Sequence, residues 1–193
     1  EDKWITAAEL LPGNRAVVHH ILAFARGPGE RGFSGGLDGF LVGYVPGLRT
    51  LPFPDGMAKR IAAGSELFFQ VHYTPIGSVQ IDQSLIGFEF ADEKDIKFEV
   101  RTTSAAQRHL RIPPGDDNYR VTAMNSRPLD NALLLGFMPH MHVRGKSFRY
   151  EARGRDGKKE ILLDVPRFDF NWQTSYRLKE PRQLAAGTRM YCT

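Results

Sequence analysis

The feature that most constrains this chain is a series of short apolar runs of strand length, each closed by turn residues. RAVVHHILAF (15–24), ELFFQVHYTP (66–75), SLIGFEF (84–90), IKFEVRT (96–102), YRVTAMN (119–125), ALLLGFM (132–138) and KSFRYEAR (146–153) are rich in β-branched and aromatic residues. GRDGKK (154–159) holds an Asp-Gly pair and predicts a hairpin turn that returns the chain into KEILLDV. PGE, PGL, PPGDD and AAGT are further turn signals. Only DKWITAAEL (2–10) and GMAKRIAAG (56–64) predict short helices. Regularly spaced short strands predict an all-β fold of the β-sandwich class. The 193 residues allow one large domain or two small ones. The charged turn ADEKD (91–95) is the expected boundary, giving domains over 1–95 and 96–193.

Composition narrows the function classes. The net charge of +4 is a mild excess, and the basic residues are scattered without a run or a basic helix interleaved with aromatics. That pattern speaks against a nucleic-acid surface. No apolar run approaches the roughly 20 residues of a membrane span. The single cysteine, Cys192, excludes an internal disulfide, and its natural partner would lie past the end of the chain. No leader-type segment opens the chain, so Glu1 reads as a processed terminus.

The histidines carry the chemistry. Four of the six fall in two tight pairs, and a fifth, His72, stands in a strand-like run. His140 and His142, in MPHMHVRGKSFRY (138–150), stand two apart, so in a strand both imidazoles point to one face. Two such rings make half of a nitrogen site for copper or zinc. Met138 shares their parity, Met141 does not, and Pro139 implies an edge or a bend. The bland alternative is a pair of surface histidines. His19 and His20 are adjacent in an apolar run; in a regular strand they face opposite ways. To bind one metal together they need an irregular or edge strand. His72, taken alone, reads as a satisfied strand histidine; it shares a face with Gln70 and Thr74, and Gln70 is the candidate to orient its ring. His109, in a polar stretch before a turn, reads as exposed or as a supporting residue.

Taken together, VVHHILAF, LFFQVHYTP, RIPPG and PHMHVRGKSFRY resemble the type II copper, ascorbate-dependent monooxygenases, above all their bacterial members. The likeness runs from about Asn14 to Thr193. It implies two jelly-roll-type β-sandwich domains, each with one copper. It implies that His19, His20 and His72 hold an electron-transfer copper. His140 and His142 would be catalytic, as two ligands of the oxygen-binding copper. The implied reaction hydroxylates an unactivated C–H bond with dioxygen and an ascorbate-type reductant. An electron donor, a small-molecule or peptide substrate, a fused redox domain in a longer protein and a periplasmic or secreted location go with it.

The likeness also has departures. The family's oxygen-binding copper takes a methionine from a later strand, and after His142 the only methionine is Met190, in a stretch that the resemblance aligns with an earlier strand. The expectation is therefore a chain lacking the start of its first domain and the end of its second. The arginine with which the peptide-directed members hold a carboxylate is replaced by Met138. Arg144 and Lys146 offer positive charge nearby, as a solvated turn or an anion contact, and FDFNWQTSY (168–176) either lines a pocket or packs under a sheet, with packing the favoured reading. Two other readings stay open: a copper-binding or electron-transfer module without oxygen chemistry, and a zinc hydrolase, for which no carboxylate base lies close in sequence and Asp164 and Asp169 would come near only through the fold.

Overall fold

The computed structural model describes residues 1–30, 37, 39–45, 48 and 50–193; the turn read at PGL lies partly outside them. The described chain is all-β, with one three-residue 3₁₀ turn at Glu93–Asp95. It divides into two compact units, Glu1–Thr102 and Thr103–Thr193. Among the described residues no helix is long and apolar enough to cross a membrane.

The first unit holds β1 (Lys3–Leu11), β2 (Val18–Arg26), β3 (Phe40–Tyr44), β4 (Met57–Ile61), β5 (Glu66–Tyr73), β6 (Leu85–Ala91) and β7 (Phe98–Glu99). One sheet runs β6-β1-β4-β7 and a second runs β3-β2-β5. All pairings are antiparallel except the short parallel contact of β4 with β7. The two sheets share one core: Ile5, Ala8 and Leu10 of β1 pack with Val18, Ile21 and Ala23 of β2 and with Leu41 and Val42 of β3. The segment after the charged turn stays with this unit, because β7 pairs β4 and Thr102 accepts a hydrogen bond from Lys59.

Both expected helices are strands, for identifiable reasons. In β1 the register with β6 shifts between Ile5 and Ala7, so Thr6 is an extra, bulged residue. The bulge puts Ile5 and Ala8, three apart, into the same core, and that spacing imitates a helical face. GMAKRIAAG becomes β4, bracketed by turn glycines at Gly56 and Gly64, both with φ near +75°. Its alanines favour a helix, but ladders with β1 and β7 on both sides decide the outcome.

The second unit holds β8 (Ala123–Met124), β9 (Leu133–Phe137), β10 (Phe148–Arg153), β11 (Lys159–Val165), β12 (Tyr176–Gln183) and β13 (Arg189–Cys192). The sheets are β11-β10-β13-β8 and β12-β9. The β10–β11 hairpin forms where the Asp-Gly pair places it, with Gly157 at φ 78°. The runs at 96–102 and 119–125 shrink to the two-residue β7 and β8. β3 and β12 are additions to the sequence reading, while β13 falls on the stretch around Met190 that the resemblance aligns with a strand. Phe137, Ala152, Val165, Leu184, Met190 and Cys192 are buried. Burial pushes the Cys192 thiol up to about 12. Buried Asn125 binds the sheet through its Oδ1, which accepts the Met190 amide at 2.7 Å.

Candidate metal centres

The first cluster is built by a strand defect. β2 is the centre of its sheet, and β5 lies along it as an edge. Val18 pairs with Tyr73 and His20 pairs with His72, so two steps on β2 match one on β5. His19 is the inserted residue of a β-bulge. A regular strand would send His19 and His20 to opposite faces. The bulge turns both toward His72. One nitrogen from each of the three rings lies within 4.8 Å of the others. The ring centroids stand 4.8–5.4 Å apart at steep mutual angles, and Nδ1 of His19 is 3.1 Å from Nδ1 of His20.

The ends of the two strands are tied down beside the rings. The Thr74 amide donates to the Val17 carbonyl at 2.7 Å. The Tyr73 hydroxyl donates to Asp82 Oδ2 at 2.9 Å, and Asp82 Oδ1 accepts the Asn14 amide at 2.9 Å. Ser84 donates to the same carboxylate. Asp82 thereby joins the turn before β2 to the end of β5, the two segments that deliver His19 and His72. The sequence reading did not single out Asp82; its signal was a carboxylate in the polar gap between two strand-like runs. Gln70 pairs with Leu22 two positions from His72, is exposed, and makes no side-chain hydrogen bond among the described residues.

The second pair is built differently. His140 and His142 lie past the end of β9, in a segment without strand pairing, so the expected strand does not present them. Pro139 removes a ladder donor just where pairing stops. The two rings still meet, with centroids 5.2 Å apart and planes at 79°. Both histidines are exposed, while Met141 between them is half-buried. The Gly145 amide donates to the His142 carbonyl at 2.8 Å and closes the turn. Gly145 has no room for a side chain: a Cβ there would lie 2.8 Å from Met141 Cβ and 2.8 Å from Phe168 Cδ1. Met141 is therefore the anchor, and its neighbours on either side are left outward.

His140 is also held by a residue that the sequence reading passed over. Its Nδ1 lies 2.5 Å from Gln173 Oε1, and the Gln173 amide nitrogen donates to the Phe170 carbonyl at 2.9 Å. Gln173 stands in FDFNWQTSY, whose residues 168–171, with Arg167, Val143 and Gly145, line an open cleft beside the turn. Part of that segment does pack, since Phe168 is half-buried against Gly145, but Trp172 is 66% exposed. Met190 is buried in β13, opposite Ala152 of β10, and Met138 is exposed. His109 is exposed.

Three imidazoles within reach of one point suit copper or zinc, since nitrogen donors of this type serve both. Two imidazoles alone leave a site that needs further ligands. No protein-family model matches this chain, and no curated protein matches it.

Proposed function

We propose that this chain is the copper-binding part of a type II copper, ascorbate-dependent monooxygenase that hydroxylates an unactivated C–H bond. The observation that carries the reading is the bulge at His19, which gathers His19, His20 and His72 around one point. In that reading each unit is a jelly-roll-type sandwich with one copper. His19, His20 and His72 hold the electron-storing ion, and His140 and His142 supply two ligands to the oxygen-binding one. Copper in these positions would supply one-electron redox chemistry and activation of dioxygen. His20 and His72 are paired across a ladder and His19 is the bulge beside them, an arrangement that suits donors which keep their places when the charge on an ion changes. The exposed pair sits on a turn, which leaves positions open for dioxygen and substrate. An ascorbate-type donor and an exported, periplasmic or secreted location belong to the same proposal.

A specific observation favours a second reading, a copper or electron-transfer module without oxygen chemistry. Met190 is committed to the core, and among the described residues the His140/His142 pair gathers no third histidine, cysteine or carboxylate. The deciding experiment loads the chain with equal copper and zinc, dialyses it exhaustively and measures metal content. The expected result is about two coppers per chain, falling to one in the His140→Ala/His142→Ala variant. One copper, unchanged in that variant, supports the module. Preference for zinc, or no metal at all, overturns both.

A further inference from the structure

We infer that Gln173 is a positioning residue that holds His140 as its Nδ1–H tautomer and so leaves Nε2 as the free donor nitrogen. The argument follows from what each atom can do. The Phe170 carbonyl only accepts, so the group 2.9 Å from it must be the NH₂ end of the Gln173 amide. That contact fixes which way the amide faces, which a lone contact to an imidazole would leave open. The other end, Oε1, is an acceptor only, and it faces His140 Nδ1. Nδ1 must then carry the proton, and the lone pair of the neutral ring is on Nε2.

The glutamine is itself pre-set. It belongs to the connection between β11 and β12, where the Asn171 amide donates to Asp169 Oδ1 at 2.8 Å and the Trp172 amide to the Asp169 carbonyl at 3.0 Å. A folded turn therefore delivers Gln173, and Gln173 delivers His140. Outer partners of this kind fix the ring orientation of metal-binding histidines and raise their basicity, and losing one costs about 10–100-fold in metal affinity. The metal half of this inference rests on the copper reading above; the tautomer half does not.

The test separates the two. Metal-free protein with ¹⁵N-labelled histidine is held at one mildly alkaline pH, where imidazole is neutral, and ring tautomers are read from long-range ¹H–¹⁵N correlations. The His140 signals are assigned by their loss in His140→Ala. Expected are the Nδ1–H form in the wild type and in Gln173→Glu, whose carboxylate still accepts, and a shift toward Nε2–H in Gln173→Leu. An Nε2–H wild type, or a Gln173→Leu variant with unchanged tautomer, overturns the inference. In chelator competition, copper at the pair should weaken about 10–100-fold in Gln173→Leu and recover in Gln173→Glu. A wild type that takes no copper at the pair sinks the proposed function, while the tautomer measurement still decides the role of Gln173.

Discussion

The two histidine groups of this chain solve one problem in opposite ways. His19, His20 and His72 stand on β2 and β5, where ladder pairing holds His20 against His72 and a single bulge, with His19 as its inserted residue, aims the rings. His140 and His142 stand on an unpaired turn, held by Met141 beneath, by the Gly145–His142 bond and by Gln173 at one ring. The first arrangement is strand-held and offers three donors, of which His72 is exposed. The second is exposed at both rings and offers two. A strand-built site suits a group that must change little; a turn-built site suits one that must admit something else.

The contrast can be broken by substitution. The largest effect should come from the strand-built cluster. His20→Ala or His72→Ala removes one of three nitrogens and should weaken its copper by more than the roughly 100-fold that loss of a supporting partner costs. Chelator competition measures it, and an effect below tenfold would show that the three rings do not share an ion. Gly145→Ala should act on the turn alone. The added methyl meets Met141 and Phe168 at 2.8 Å, a crowding that costs about 1–3 kcal/mol. Denaturant unfolding of the second unit should show that loss, and metal at His19/His20/His72 should be unchanged.

Hydrogen exchange sharpens the same comparison without substitution. The Ile21 amide, in a central strand with its side chain fully buried, should exchange only on global opening of its unit. The amides of 140–144 should exchange through local opening at much lower free energy. Equal protection in both places would remove the distinction between ladder and turn.

A final prediction concerns the scaffold of the strand-built unit. Lys59 is buried, and its ammonium donates to the Phe40 and Leu41 carbonyls at 2.6 and 3.0 Å and to the Thr102 hydroxyl at 3.0 Å. Among the described residues it has no carboxylate partner. Burial pushes its pKa down from 10.5 to about 8. Between these values the unfolded chain binds the proton and the folded chain does not, so stability rises with pH across that window. The depression corresponds to on the order of 3 kcal/mol at most. Urea midpoints at pH 7.5 and 10 should show the rise, and Lys59→Met should flatten it; a fall with pH in the wild type that Lys59→Met abolishes would contradict the account.

How much was legible in advance follows from how each feature is encoded. Strands rich in β-branched and aromatic residues, such as β2, β5 and β10, announce themselves through residue type and turns. β12, YRLKEPRQ, does not: it lies at the edge of its sheet, carries charges and contains Pro181, near which the register with β9 shifts. β1 misleads because its Thr6 bulge gives a strand the spacing of a helix. That His19, His20 and His72 come together was implied only by the family resemblance; taken alone, His72 reads as an ordinary strand histidine. The bulge that joins them was legible only as a requirement.

By itself, then, the sequence determined that the chain is all-β and that His19/His20 and His140/His142 stand in pairs, because runs of β-branched and aromatic residues, turn residues and histidine pairs are local properties; that His72 joins the first pair was implied only by the family resemblance. Only the tertiary structure decided that His19 is the inserted residue, that His140 and His142 sit on a turn, and that Asp82 and Gln173 support the sites. Those outcomes depend on pairing register and on partners 33 residues apart in chain, as with His140 and Gln173, or 68, as with Asn14 and Asp82. Such choices are settled by which ladder closes against which neighbour, and no single segment contains that information.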